Sequence, residues 1–244
     1  MDIEPIPKPG YYLTNYRVVR LREVARIFGV WRAPIYYPLT RFRRASGALW
    51  MPTLWADGEC GCEDLSARFW DATASYRERF KELGFAECVY RKIDQPLNPL
   101  YRDSGAIFYW DQTRQYFGQL LYVRVHSPPP IDADKEVITV LFTAAFERGC
   151  LACTNGRHFF DGAPNNVIIR VSSTDPFDAY QRLIENLRER PDSPRRFSDL
   201  HLLQNWFDEA TFETFQARVR RGLFIRMTDA EVESALRRVR TTQS

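Results

Sequence analysis

The chain has 244 residues, of which 45% are hydrophobic, so it carries enough apolar material for an ordinary core and is not an intrinsically disordered chain. Its formal net charge of +3 comes from 34 basic and 31 acidic residues, so the overall charge creates no strong field toward nucleic acid or anionic membranes. Any such role must depend on a local cluster.

The N-terminal stretch MDIEPIPKPGYY has acids and prolines where a secretory signal needs a basic and then an apolar segment. No apolar run approaches the roughly 20 residues that cross a bilayer. The five cysteines are an odd number at irregular spacing, in a chain too long to need a disulfide framework. We therefore expect reduced thiols, a cytoplasmic location and no membrane span.

Residues 1–60 mix aromatic residues and arginines without one sustained period, and we expect an irregular segment packed on the rest of the chain. The apolar residues from Val18 to Ile27 fit either a strand or a short helix before Gly29. Pro34 and Pro38 exclude a long helix after that point, so the sequence predicts an extended or looped segment there.

Residues 63–83 have the clearest helical pattern, because apolar side chains recur at steps of three and four. Gly84 follows, where the C-terminus of a helix prefers glycine. The pattern predicts an amphipathic helix over this range.

Residues 86–173 change to β-branched and aromatic runs such as YFGQLLYVRV and EVITVLFTAAF, separated by turn-forming residues. The connections carry prolines and glycines but no helical pattern, which argues against βαβ units and a parallel sheet. We predict an antiparallel meander of about five or six strands.

The remaining residues return to helical periodicity, and Thr228 with Glu231 forms the sequence pattern of a capping box. The predicted C-terminal helices cover residues 175–190, 198–221 and 228–240. Together these elements indicate an α+β fold over a single domain, residues 1–244, with helices packed on an antiparallel sheet.

The stretch RGCLACTNGRHFFDG, residues 148–162, places two cysteines and a histidine close together. If CLACT is a strand, Gly149 supplies the left-handed residue of the preceding turn, and Cys150 and Cys153 point to opposite faces of the sheet. One zinc ion could then not take both thiolates. A zinc site survives as an alternative in one form, a four-sulfur site of Cys60, Cys62, Cys150 and Cys153.

A cysteine-dependent enzyme is the second alternative for this stretch, with His158 as the nearest base in sequence that would activate a thiol and His126 and His201 as equally possible partners in space. No context of a known cysteine nucleophile surrounds either cysteine, and the sequence does not bring the histidine back to them. A third interpretation assigns recognition to the loop, because loops at strand ends commonly carry binding. Its candidate residues are Asn155, Arg157 and His158.

Residues 17–44 are locally basic, with eight arginines against the single acid Glu23 and with aromatic residues interleaved. Arginine beside exposed aromatic rings could bind phosphates and stack on single-stranded bases or headgroups. The candidate binding residues at its end are Arg41, Arg43 and Arg44. A second basic cluster, Arg218 to Arg226, lies at a predicted helix C-terminus, where cations meet the helix dipole favourably and need no partner.

Phosphate-loop, dinucleotide and HExxH motifs do not occur in the sequence. We therefore expect a non-catalytic binding or protein-interaction module, without a cofactor, that works with a protein partner or as a homo-oligomer. The alternatives are nucleic-acid or anionic-surface binding through residues 17–44, and a zinc site or cysteine-dependent enzyme.

Overall fold

A computed structural model describes residues 10–42, 46–50, 58–92, 101–127, 133–156 and 161–243. The strands are β1 Tyr11–Thr14, β2 Ser46–Trp50, β3 Glu59–Cys60, β4 Phe85–Arg91, β5 Tyr101–Asp111, β6 Tyr116–Ser127, β7 Ala133–Ala145, β8 Cys150–Thr154, β9 Asn166–Arg170 and β10 Phe224–Arg226. The helices are α1 Leu21–Phe28, α2 Ala33–Phe42, α3 Ala67–Glu82, α4 Pro176–Arg188, α5 Leu200–Arg220 and α6 Asp229–Gln243.

The larger sheet contains seven strands in the order β3 to β9, each paired with its neighbour along the chain. The pairs from β3 to β8 are antiparallel, and helices flank the sheet, which confirms the predicted α+β fold. The last pair is an exception, because β9 runs parallel to β8. The predicted antiparallel meander accounts for the other pairs, and the direction of β9 was not predictable because local periodicity does not encode strand direction.

Helices α3 and α4 cover one face of this sheet and form the main core with it. The rings of Phe69 and Phe80 from α3 enter this core where the sheet carries Gly105 and Gly118. A Cβ atom on Gly118 would lie 2.4 Å from Cε1 of Phe80, so only glycine leaves room for the ring at this point.

Helix α5 covers the opposite face of the same sheet and is continuous from Leu200 to Arg220. Its residues Leu203 and Trp206 pack with Phe117 and Ala145 from the strands. Alternation along the strands therefore divides their side chains between the α3/α4 side and the α5 side.

The smaller sheet has the order β10-β1-β2 and gives the N-terminal part of the chain more regular structure than its sequence predicts. It shares a second core with α1, α2 and the C-terminal half of α5. Strand β1 pairs with β10 from the far end of the chain, a long-range contact that no local pattern announces.

The segment after Gly29 forms α2 instead of the predicted extended or looped structure. Pro34 is the second residue of this helix, where the missing N–H donor has no helical acceptor to lose, while Pro38 lies inside the helix. Val24 of α1 and Ala33 of α2 are fully or nearly fully buried in the second core, and we attribute the helix to this packing.

The other predicted helix boundaries agree with the structure to within about three residues, except that α3 begins at Ala67 and not at residue 63, because Cys62–Asp64 form a separate 3-10 turn. The side chain of Ser66 caps α3, Gly84 follows it with φ +82°, and the side chains of Thr228 and Glu231 form the capping box of α6. Among the described residues, no helix is both long and apolar enough to cross a bilayer.

Candidate ligand-binding site

A cleft of about 310 Å³ lies between α5 and the strands β6 to β9. Large apolar side chains border it, and small or polar side chains from β7, β8, β9 and α5 form the remaining wall. The apolar border consists of Phe117, Leu141, Ile168, Trp206, Phe207, Phe215 and Phe224. Its volume is at the lower end of the range of small-molecule sites.

The sequence of α5 creates this cleft by changing side-chain size along one side of the helix. Trp206 is followed by Ala210, Thr211 and Thr214 before Phe215. Residues three and four apart lie on the same side of a helix, so the small residues leave a gap between two large aromatic rings. Ala152 on β8 is equally small and faces the gap from the sheet.

Asn166, the first residue of β9, lines the cleft and carries an unsatisfied polar atom. Its Nδ2 donates to Oγ1 of Thr214 at 2.8 Å and to the carbonyl of Ala210 at 3.5 Å. Its Oδ1 is buried and has no hydrogen-bond partner in the part of the chain that the structure describes. In either orientation of the amide, one end of Asn166 stays unpaired, which is costly for a buried polar group unless a ligand pairs with it.

A group of arginines surrounds Asp161 beside this cleft. Arg22 and Arg26 of α1 donate to its two carboxylate oxygens at 2.5 and 2.7 Å, and Arg20 reaches it at 3.3 Å. Burial by itself raises the pKa of Asp161, but the hydrogen bonds and charges of Arg26 and Arg22 outweigh burial and hold this pKa below its ordinary value.

Glu23 fixes this arginine group to α5. Its side chain is fully buried and accepts hydrogen bonds from Arg221 at 2.7 and 2.9 Å, from the backbone of Arg20 and from the backbone of Asp161. Through this one carboxylate, α1, the segment before β9 and the end of α5 are held in one cluster.

Arg218 connects the arginine group to the cleft. Its side chain lines the cleft, its Nε donates to the carbonyl oxygen of Asp161 at 3.1 Å, and its guanidinium lies 5.7 Å from the ring centre of Phe224. Burial, and then the charge of Arg221, lowers the pKa of Arg218.

We refer to Arg20, Arg22, Arg26, Arg218, Arg221, Glu23 and Asp161 as the arginine cluster. It combines five guanidinium groups with two carboxylates, an excess of positive charge beside an apolar cleft. A second, polar pocket of about 210 Å³ is lined by Arg22 and Arg26. Asn166 and Ile168 line both cavities, so the apolar and the basic spaces share a wall.

The two cysteines of β8 lie on opposite faces of the sheet, as strand alternation predicts. Cys153 belongs to the core under α3 and α4, whereas Cys150 packs against the residues under α5. Burial raises the pKa of both thiols to about 11. Gly149 before them has φ +85°, the left-handed conformation expected for the turn.

The four-cysteine zinc site is wrong, because the sheet does not bring the four sulfurs together. Cys60 lies on β3, at the opposite end of the strand order from β9, and four strands separate it from β8. At about 4.8 Å per strand, Cys60 and Cys150 are on the order of 24 Å apart. Among the described residues, no group of three or more metal-ligating side chains could hold a metal ion.

Of the predicted loop residues, only Asn155 lies in the described part of the chain. Its Oδ1 accepts from the backbone N–H of Val140 at 2.8 Å, so its side chain binds strand β7. Arg157 and His158 fall outside the described residues, as do Arg43 and Arg44. Arg41 belongs to α2.

The sequence interpretation of the second basic cluster was wrong for two of its arginines. It treated the cations at the end of α5 as needing no partner, but Arg221 binds Glu23 and Arg218 binds the backbone of Asp161. Sequence reasoning also missed Asp161 and Asn166. Of the residues in the arginine cluster, Glu23 had a signal in the sequence, because it is the single acid among the eight arginines of residues 17–44.

Comparison with known proteins does not assign the chain to a family. No known protein family matches the chain, and no curated protein or solved structure matches it significantly.

Proposed function

We propose that this protein is a non-catalytic binding module for a small amphipathic anion, a molecule with an apolar body and one carboxylate or phosphate group. The observation that carries the proposal is the apolar cleft under α5 with a half-buried arginine of the arginine cluster, Arg218, in its wall. A site with apolar walls and a few fixed polar groups is the usual form of a small-molecule pocket.

The apolar border of the cleft supports the choice of ligand body. Trp206, Phe207 and Phe215 offer broad ring surfaces, and each methylene that a ligand buries there contributes about 0.8 kcal/mol. An alkyl chain of about eight to ten carbons, or an aromatic body of similar size, is therefore a reasonable occupant.

The polar groups support the choice of headgroup. Arginine binds carboxylate and phosphate through several N–H donors, and such charge-assisted bonds are stronger than neutral ones. Arg218 supplies a guanidinium in the wall of the cleft, and Arg22 and Arg26 line the adjoining pocket. Asn166 adds a buried polar atom that a ligand hydroxyl or amide could pair with.

A binding role also agrees with the state of the thiols beside the cleft. Cys150 lines it, but burial raises its pKa to about 11, opposite to the shift that activates a nucleophile.

A cytoplasmic location fits five free cysteines and belongs to the same proposal. Assembly with a protein partner or with a second copy of the chain stays a prediction. Size-exclusion chromatography at several protein concentrations measures whether the chain self-associates.

Calorimetric titration with decanoate and with decanol tests the proposal. We expect decanoate to bind more tightly than decanol, because only decanoate can use the arginine. Arg218→Gln should weaken decanoate binding by about 10- to 100-fold, the value of one charge-assisted bond, and leave decanol binding nearly unchanged. Arg220→Gln, on the exposed side of the same helix, is the matched control and should change neither affinity.

A second variant tests the cleft itself. Ala210→Phe places a ring in the gap of α5 and should abolish binding of both molecules while the far-UV spectrum is retained. Absence of binding by decanoate, decyl phosphate and decanol in the wild-type protein would overturn the proposal, as would full binding by the Ala210→Phe variant.

A further inference from the structure

The turn before α2 and the outer side of this helix expose a continuous set of apolar side chains. Trp31 is 94% exposed, Val30 74%, Ile35 66% and Leu39 53%. Ile35 and Leu39 are four residues apart and therefore lie on one side of α2, and Val30 and Trp31 stand in the turn immediately before this helix. We call these four residues the apolar face of α2.

This face is held in a fixed position by the other side of the helix. Ala33 and Thr40 are buried, and Tyr37 packs on the second core. The rings of Phe28 and Tyr36 stack with centroids 4.5 Å apart and join α2 to α1. The apolar face is thus the outward side of an anchored helix hairpin.

Along the sequence, the charged residues next to this face are of one sign, and Arg32, which adjoins Trp31, is exposed. No charged residue occurs from Ala33 to Thr40, whereas Arg32 precedes this stretch and Arg41, Arg43 and Arg44 follow it. The single acid between residues 17 and 44 is Glu23. Its carboxylate is fully buried and paired with Arg221, so it offsets none of the positive charge that faces solvent.

We propose that the apolar face of α2 docks on the surface of an anionic lipid bilayer, with Trp31 and the neighbouring aliphatic side chains inserted at the level of the headgroups. Tryptophan favours the membrane interface, and helices that lie in this interface combine apolar side chains with arginines that meet anionic lipids. The hairpin lies on the membrane and does not cross it.

Charge and side-chain chemistry favour an anionic bilayer over two other occupants of this face, a nucleic acid and a second copy of the chain. Three of the four side chains of this face, Val30, Ile35 and Leu39, are aliphatic and offer no stacking surface for bases, so only Trp31 could stack, which disfavours nucleic acid. A second copy would bring the same arginines against each other, whereas anionic headgroups attract them. The proposal does not depend on ligand binding in the cleft, which lies under α5.

Co-sedimentation with vesicles tests this inference. We expect the full chain to bind vesicles of phosphatidylcholine with about 30% phosphatidylserine, and to bind pure phosphatidylcholine vesicles at least tenfold more weakly. Raising the salt from about 0.05 to 0.5 M should release the protein, because the arginine contribution is screened.

Variants of exposed residues identify the docking surface without disturbing the fold. Trp31→Ser combined with Ile35→Ser should weaken binding to the anionic vesicles by at least tenfold, since two apolar anchors are lost. Phe177→Ser, which removes a half-exposed ring (50%) from α4, away from this face, is the control and should bind as the wild type does. Arg32→Gln should weaken binding about two- to fivefold.

Three outcomes would overturn the inference. They are equal binding to both kinds of vesicle, unchanged binding by the Trp31/Ile35 variant, and a dimer in solution that this variant dissociates while vesicles capture nothing. The Trp31/Ile35 variant leaves the cleft residues unchanged, so it should still bind decanoate in calorimetry. This measurement distinguishes a failure of the membrane-docking proposal from a failure of the proposed ligand binding.

Discussion

The thiols of Cys150 and Cys153 illustrate how burial controls the chemistry of a side chain. In the sequence they stand near a histidine and suggest a reactive site. In the structure each thiol enters a different core, and loss of hydration disfavours its thiolate form. The same desolvation raises the pKa of Cys88 to about 12 on β4.

The raised pKa values predict that these cysteines lower the stability of the protein at alkaline pH. The thiol pKa is 9.0 in its ordinary state and about 11 in the folded chain for Cys150 and Cys153. Between these pH values the unfolded chain releases its thiol protons and the folded chain keeps them. The free energy of unfolding should therefore fall by about 1 kcal/mol per pH unit for each thiol.

Urea unfolding at pH 8, 9 and 10 measures this effect. The variant that combines Cys150→Ala with Cys153→Ala should lose less stability over this range than the wild type does, although it starts from a lower value. The tyrosines are the same in both proteins, so they contribute equally to any loss of stability at alkaline pH. An identical loss in both proteins would therefore show that Cys150 and Cys153 do not cause it.

Helix α3 and strand β6 show how a pair of elements depends on the size of one residue. The ring of Phe80 stacks on Tyr109 at 4.1 Å and on Phe142 at 4.8 Å between ring centres. Gly118 leaves the space above β6 into which this ring fits. The helix can approach the sheet closely because the large and small residues match.

Gly118→Ala should therefore destabilise the protein by about 1–3 kcal/mol, the usual cost of overpacking a core. The new methyl group would lie 2.4 Å from Phe80, which neighbouring rings hold in place. Urea unfolding measures the loss. In a Phe80→Leu background the same substitution should cost less, and an equal cost in both backgrounds would show that the ring is not the obstacle.

Helix α5 links the two halves of the molecule. Its first half packs on the larger sheet, and its second half forms the second core with α1, α2 and the smaller sheet. Glu23 adds a buried ion pair between α1 and the end of α5. With one helix in both cores, we expect the two parts to unfold together.

Glu23→Ala tests this coupling, because it leaves the charge of Arg221 without its buried partner. We expect a loss of about 3–5 kcal/mol, with the curves from far-UV circular dichroism and tryptophan fluorescence shifting by the same amount. Glu233→Ala removes an exposed ion pair on α6 and should change little. Two separate transitions in the wild type would contradict a single cooperative unit.

Much of the α+β architecture could be predicted because its elements have strong local signals. Helix α3 has a clear apolar period and ends before Gly84, and α6 begins at its capping box. The long strands carry β-branched and aromatic runs. In contrast, α2 contains two prolines, so its sequence opposes a helix that packing on the second core stabilises.

The candidate site depends on residues that are far apart along the chain, and this limits what the sequence predicts of it. Glu23 and Arg221 are 198 positions apart, and Asn166 meets Thr214 across 48. The sequence by itself determined most of the helices and strands after residue 60 and that the two cysteines of β8 face opposite sides, since these follow from local periodicity. Only the tertiary structure decided that β9 runs parallel to β8, that the arginines collect around Asp161 and that a cleft remains under α5, because these features arise from contacts between distant segments.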